Sequence, residues 1–422
     1  MLHGDTEHMK LNYPSIYEWS LTALVGAWML LPGLTGLFCI LFFLIVLYGA
    51  LSKNLSFHLN GVLVGIALFL PLYALYATNS MDPNAAMFGI EKKLSFVLFP
   101  LVFSFVPTFS LNKRRIEHGF LFALFLMLFA CYLGAFFNYE EHNYNTAYLF
   151  SSHFSGLFHH PTYVSVFCAL GIYVLFNRWQ YPRSMREHLI SAIGILFLLY
   201  THFHLESLSG LLFAMLLMAF LIGHWVLKRK GWKTLVGFLS SGLLMVSLGV
   251  FLVPSLKSNV SDSVSFASNY VKDPHAYTHI PRGEIRGNDA RLILWTASAE
   301  LLKEHPNGVG VGNLPMAIEA KLLEYGQVNL AKEHLNPHNQ FFHTAVETGW
   351  IGMLWLLVIL ISMLWFGRKH KQGILILVVC AFAFNSLFES MLERQSGIVF
   401  WLLWSCMFIG IYSAFKNQPN EA

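Results

Sequence analysis

Four short runs between Pro281 and Gly349 gather the residue types that can act on a charged substrate. They are Arg291-Leu-Ile-Leu-Trp295, His305-Pro-Asn-Gly-Val-Gly-Val-Gly312, Asn336-Pro-His-Asn-Gln340 and Glu347-Thr-Gly349. Asn336 followed by Pro337 is a helix-start signal, with proline at the first helical position. That start puts His338 and Asn339 among the free amide N–H groups of a helix N-terminus, where an anion is favoured. His338 is also titratable and able to exchange a proton with a hydroxyl. A solvated loop histidine with Asn339 as a cap would use the same residues. Arg282, Arg286 and Arg291 fall within ten positions, and guanidinium forks match phosphate oxygens bidentately. A clamp on ordinary lipid headgroups reads equally from them. Gly308-Val-Gly-Val-Gly312 lacks the Lys-Ser/Thr of a phosphate-binding loop and reads as a tight turn.

Other polar groups are weaker. His334/His338 and His275/His279 are spaced four apart, but prolines interrupt both pairs and no His-Glu-x-x-His occurs, so no metal is expected. Glu206 lies beside Ser207 near His202 and His204. Glu389 and Arg394 flank the last outer connection, where one carboxylate could orient or act as a base. Glu140 and Glu141 read as loop solvation.

The elements that must position these groups are membrane spans. The chain has 422 residues, of which 56% are hydrophobic and only 12% charged, about half the charged fraction of a soluble domain. Apolar runs predict about twelve spans, near 15–31, 33–51, 58–77, 94–109, 116–137, 161–177, 188–203, 207–227, 233–254, 339–366, 373–390 and 396–415. This is an all-α polytopic membrane protein read as a single membrane domain (1–422), with one long helical loop, 255–338, inserted between spans 9 and 10. The mixed-charge N-terminus carries no cleaved signal peptide in this reading. Cys39, Cys131, Cys168, Cys380 and Cys406 all sit in apolar runs, which argues against a disulfide framework and against cysteine-ligated zinc. The net charge of +4 gives no reason to expect nucleic acid.

Orientation follows from lysine and arginine in short loops. With the N-terminus inside, sixteen of the twenty-seven fall on inner segments, three (Lys92, Lys93, Arg394) on short outer loops and eight in the long loop. The expected topology is N-in, C-in, with loop 255–338 outside. Within it, Leu292, Trp295, Ala299 and Leu302 mark one stripe of a helix capped at Asn288-Asp289, expected to lie along the membrane surface. Asn313 with Pro315 opens a second helix, to about Tyr325-Gly326.

Arg291-x-x-x-Trp295, Pro306-x-Gly308-x-Gly310-x-Gly312, Pro337-His338-Asn339-Gln340-Phe341 and Glu347-Thr-Gly349-Trp-Ile-Gly352, with His160-Pro161-Thr162 before the sixth span, together resemble the bacterial O-antigen ligase and polymerase superfamily. The resemblance implies a GT-C-like, metal-independent glycosyltransferase without cofactor in the inner membrane. It would move a glycan from undecaprenyl pyrophosphate to an acceptor hydroxyl at the periplasmic face. The expected acceptor is lipid A-core, with a growing glycan or a protein hydroxyl as alternatives and membrane lipids as surroundings. His338 matches the catalytic histidine and Arg291 the pyrophosphate-binding arginine, assisted by Arg286, Arg282 and Asn339. His160, Glu206, Trp295 and Glu347 are candidate substrate contacts. Where many members carry Ser-Arg-Gly, this chain reads Ser207-Leu-Ser-Gly210, without arginine. A transporter of the same lipid would instead place ionisable groups at mid-membrane, and a scaffold would tolerate loss of His338.

Overall fold

The computed structural model describes residues 12–180, 184–234, 236–237, 265, 268–278 and 287–412. Its first part runs α1 (Tyr13–Leu30), α2 (Thr35–Leu51), strand β1 (Leu55–Phe57), α3 (Gly61–Ala67), α4 (Phe69–Ala77), α5 (Pro83–Lys93), α6 (Ser95–Phe103), strand β2 (Phe105–Pro107) and α7 (Lys113–Glu141). Then come α8 (Ser151–Ser155), α9 (Pro161–Trp179), α10 (Met185–Leu205), α11 (Leu208–Lys230), α12 (Gly287–Glu304), α13 (Leu314–Glu324), α14 (Val328–Ala331), α15 (Gln340–Lys369), α16 (Gly373–Asn385) and α17 (Gln395–Gly410).

Among the described residues five helices are long and apolar enough to cross a membrane: Pro32–Leu51, Lys113–Glu141, Met185–Leu205, Leu208–Lys230 and Gln340–Lys369. Gly61–Ala77, Gly373–Asn385 and Gln395–Gly410 are apolar but shorter. The ninth expected span, 233–254, falls almost entirely outside the described residues. The fourth, 94–109, differs from expectation. Its helix stops at Phe103, and residues Phe105–Pro107 pair antiparallel with Leu55–Phe57. The β-branched and aromatic Phe-Val-Pro run suits an edge strand, and Pro100 already removes one helical donor.

Burial explains the packing order. α9 is buried on all sides from Pro161 to Ile172, and α17 from Gly397 to Ile409. Helices apolar all round belong at the centre of a bundle. α2, α7, α10 and α11 instead expose Ile40, Leu44, Phe122, Phe129, Ile193, Leu196, Phe203 and Phe220. Such a continuous apolar exterior is the surface a helix bundle presents to lipid.

Outside this bundle α12, α13 and α14 build a second small core. Ile293, Leu294, Ala297 and Leu301 pack on Leu314, Ile318, Leu322, Leu330 and Val346. The buried face of α12 is therefore centred on Ile293, Leu294, Ala297 and Leu301, while Leu292, Trp295 and Ala299 are half-buried. Of the expected stripe only Leu302 is fully buried, because Leu-Ile-Leu-Trp offers two overlapping apolar faces and α13 covers the one centred on Ile293 and Leu294.

Candidate functional site

The start of α15 lies three residues later than Asn336-Pro337 suggests. Asn339 is the cap, its Oδ1 accepting from the N–H groups of Phe341 (2.9 Å) and Phe342 (3.0 Å). Its Nδ2 donates to the Leu387 carbonyl at 3.1 Å, so both ends of the amide are used in tying α15 to the 386–394 connection. Asn336 caps only its own turn, accepting from the His338 N–H at 2.8 Å and from the Ser390 hydroxyl at 3.1 Å. His338 is left outside the helix with φ 46, a left-handed backbone uncommon for a residue with a side chain.

That geometry delivers the imidazole to Glu389. His338 Nδ1 lies 3.5 Å from Glu389 Oε2, an ion-pair separation too long for a short hydrogen bond. Glu389 Oε1 accepts from the Ser390 N–H at 3.2 Å. Burial pushes the Glu389 carboxyl up, but His338 more than offsets this and holds it below the usual range. His338 Nδ1 is buried with no hydrogen bond among the described residues, leaving Glu389 as its ion-pair partner.

His160 caps the start of α9 without a side-chain cap bond, and its Nδ1 is buried without a partner among the described residues. Burial pushes its imidazole below the usual range. Glu389 opposes this, while Arg394, His338 and Arg291 push it further down. Glu389, Arg394, His338 and Arg291 are thus all within electrostatic reach of His160. Arg291, half-buried in the first turns of α12, belongs to the outer subdomain. Trp295, one turn on, donates its Nε1–H to the Pro337 carbonyl at 2.9 Å and so fixes the peptide before His338.

Two expected residues lie elsewhere. Glu206 is exposed in a left-handed turn at the end of α10. Ser207 caps α11, its hydroxyl accepting from the Gly210 N–H; a Cβ at Gly210 would strike Ser165 of α9, so the Ser-Leu-Ser-Gly run serves helix packing. Arg282 and Arg286 lie outside the described residues, as does His279. His334 is exposed and faces Glu319, apart from His338.

Glu347 belongs to a second, buried cluster. Its Oε2 accepts from Tyr73 Oη at 2.7 Å and faces His343 Nε2 at 3.5 Å; its Oε1 accepts from the Gly312 N–H at 3.3 Å. His343 Nε2 is also 3.2 Å from Glu393 Oε1. Glu393 binds Lys92 and Lys93, the latter at 2.8 Å, and Lys93 also donates to the Leu392 carbonyl. Burial pushes the Glu393 carboxyl up, yet Lys93, His343 and Lys92 hold it well below the usual range. His343, Glu347 and Glu393 have the donor types and proximity of a metal site. The Lys93 ammonium, however, already sits against the Glu393 oxygen nearest His343, supplying the positive charge a cation would bring.

The glycine run packs against this cluster. Val309 and Gly310 N–H groups donate to the Val346 and Glu347 carbonyls, and Trp350 N–H to Pro306. α15 breaks at Gly349 (φ 64, ψ −167). A Cβ on Gly308 would come 2.5 Å from Gly349 N, so the two glycine-bearing runs need each other's missing side chains. The run is a close backbone joint. His343, Glu393, Lys92, Lys93 and Tyr73 were not singled out as site residues from sequence. The available signal was paired lysines in a charge-poor outer loop, opposite three ionisable residues between 389 and 394.

Residues 192–357 match the family model described as O-Antigen ligase. The matched stretch includes Arg291, Trp295, the glycine joint, His338 and Glu347. No curated protein matches the chain.

Proposed function

We propose that the chain transfers a glycan from undecaprenyl pyrophosphate to lipid A-core, a reading supported by the match of residues 192–357 to the O-antigen ligase family model. On this reading transfer occurs at the periplasmic face of the inner membrane, with N-in, C-in topology and about twelve spans. The observation that carries it is His338 held 3.5 Å from Glu389, with Arg291 and Arg394 in electrostatic reach of the neighbouring His160.

Each group has a role in that reaction. The donor's anomeric carbon is already activated by its diphosphate, so the enzyme must stabilise the departing charge and deprotonate the incoming hydroxyl. Arg291 and Arg394 supply fixed positive charge where the diphosphate leaves, with Arg282 and Arg286 as further candidates. His338 accepts the hydroxyl proton at Nε2, while Glu389 at Nδ1 orients the ring and balances the imidazolium that forms. The acceptor oxygen then bonds to the anomeric carbon as the diphosphate departs with its electron pair. The cluster around Glu347 and Glu393 holds the connection that bears Glu389, and its ammonium groups supply charge without metal.

Deletion of the gene, followed by gel analysis of surface glycans, tests the reading. Accumulated lipid-linked polymer with bare lipid A-core supports ligation. Single-repeat product would mean polymerisation, and bare glycoproteins would mean protein transfer. Reintroduced His338→Ala and Arg291→Ala are each expected to lose transfer at unchanged protein level. Full activity in either removes that residue from the mechanism.

A further inference from the structure

Residues 386–394 join α16 to α17 and carry Glu389, with a single 3-10 turn, Met391–Glu393, as their regular structure. A connection at the rim of a bundle is held through its buried backbone groups, each of which needs a partner. Here the partners come largely from one residue. Gln340, at the start of α15, is 1% exposed. Its backbone N–H, which has no acceptor within its own helix, donates to the Ser386 carbonyl at 2.8 Å. Its side-chain Oε1 accepts from the Leu392 N–H at 2.7 Å. Thr344, one turn on and also buried, accepts from Gln340 Nε2 at 2.9 Å, which fixes the end of the amide that faces Leu392. The Leu392 carbonyl takes Lys93 Nζ at 2.8 Å, so this residue is held through both its backbone groups.

The two contacts of Gln340 straddle Glu389. Ser386 lies three residues before it and Leu392 three after, while His338 lies two residues before Gln340 on the facing segment. A further bond, from Ser390 Oγ to Asn336 Oδ1 at 3.1 Å, closes the same bracket on the side of His338. The 3.5 Å separation of His338 Nδ1 from Glu389 Oε2 is thus set by anchors on the two backbones. An anchor lost at Leu392 leaves a buried N–H unpaired, and the connection must shift to find another acceptor.

We infer that Gln340 is a positioning residue for the transfer reaction: by anchoring Ser386 and Leu392 it holds Glu389 within reach of His338. The inference rests on the reading of His338 and Glu389 given above. Helix packing at this position would be served equally by methionine; the amide is required by the connection.

Initial transfer rates in membrane vesicles bearing the full chain, with lipid-linked glycan as donor and lipid A-core varied as acceptor, test it. Gln340→Met should lower kcat about tenfold with KM for the acceptor little changed. Added to Glu389→Gln, the same substitution should cost less than about twofold more, because the group it places is already gone. Ser390→Ala, which deletes only the bond to Asn336, should lower kcat by about threefold; where Gln340→Met lowers the melting temperature or the protein level, Ser390→Ala and its combination with Glu389→Gln carry the test. Unchanged kcat in both variants, or losses that multiply in full with that of Glu389→Gln, would overturn the inference. Full activity in His338→Ala would remove the transfer reading and this inference with it. An inactive His338→Ala beside fully active Gln340→Met and Ser390→Ala would overturn the positioning role alone.

Discussion

Replacing Glu389 by glutamine preserves side-chain size and removes one charge 3.5 Å from His338 Nδ1. If His338 takes the acceptor's proton, an imidazolium forms beside this carboxylate in the transition state and is absent before it. Two unit charges at that separation interact by about 5 kcal/mol at an effective dielectric of 20. The His338 side chain is 30% exposed, so solvent screening reduces this to roughly 2 kcal/mol, or about thirtyfold in rate. Initial rates in membrane vesicles, measured against acceptor concentration, should show that loss in kcat with KM for the acceptor little changed. Glu389→Asp should lose less. Unchanged kcat in a folded Glu389→Gln protein would refute the orienting role.

The pH dependence sharpens this test. Burial raises the Glu389 carboxyl, but His338 brings it net below its ordinary range. Its contribution to stability is therefore complete above about pH 4.3, the unfolded value, and is lost as pH falls through the lower folded value. Between pH 5 and 8 the group stays charged, so the kinetic deficit of Glu389→Gln should not diminish anywhere in that interval.

Other perturbations reach the supports of the site. Glu393→Gln leaves Lys93 buried beside His343 without its main counter-ion and should cost about 3–5 kcal/mol, seen as a lower melting temperature; adding Lys93→Met should restore part of it. His159 bridges Ser396 Oγ (2.7 Å) and the Met29 carbonyl (3.1 Å), and burial, opposed by its bond to Met29, pushes it down to about 4. Its neutral form belongs to the fold, so stability should fall as pH drops from about 6.5 to 4, and a His159→Gln protein should show a shallower fall in a thermal melt. Gly308→Ala meets Gly349 N and the Glu347 carbonyl at φ 82 and should cost several kcal/mol. Gly326→Ala, at φ 74 with open space around it, should cost only about 1–2 kcal/mol in the same measurement.

The helices were legible because a bilayer demands them: hydropathy alone locates α2, α7, α10, α11 and α15, since an apolar run in lipid has no alternative to satisfying its own backbone. Boundaries at the outer face obeyed tertiary rather than local rules. Asn336-Pro337 and Asn339 carry competing helix-start signals, and the choice fell to Asn339 because its amide also reaches Leu387 on another connection. The same competition hid the buried face of α12, where neighbouring apolar stripes differ only in what packs on them. Of the residues named for chemistry, His338 and Arg291 lie within electrostatic reach of His160, whereas Glu347 accepts from Tyr73 and Gly312. Its partners, Tyr73 and Gly312, and through His343 also Glu393 and Lys93, come from remote parts of the chain, and no spacing rule spans such distances. A general constraint does reach them. In a chain with 12% charged residues, an ionisable side chain at the rim of an apolar bundle must find an opposite charge or remain in water. Applied to Lys92, Lys93, Glu389, Glu393 and Arg394 together, that requirement points to pairs between connections; in the fold Glu393 meets both lysines and His343, and Glu389 meets His338.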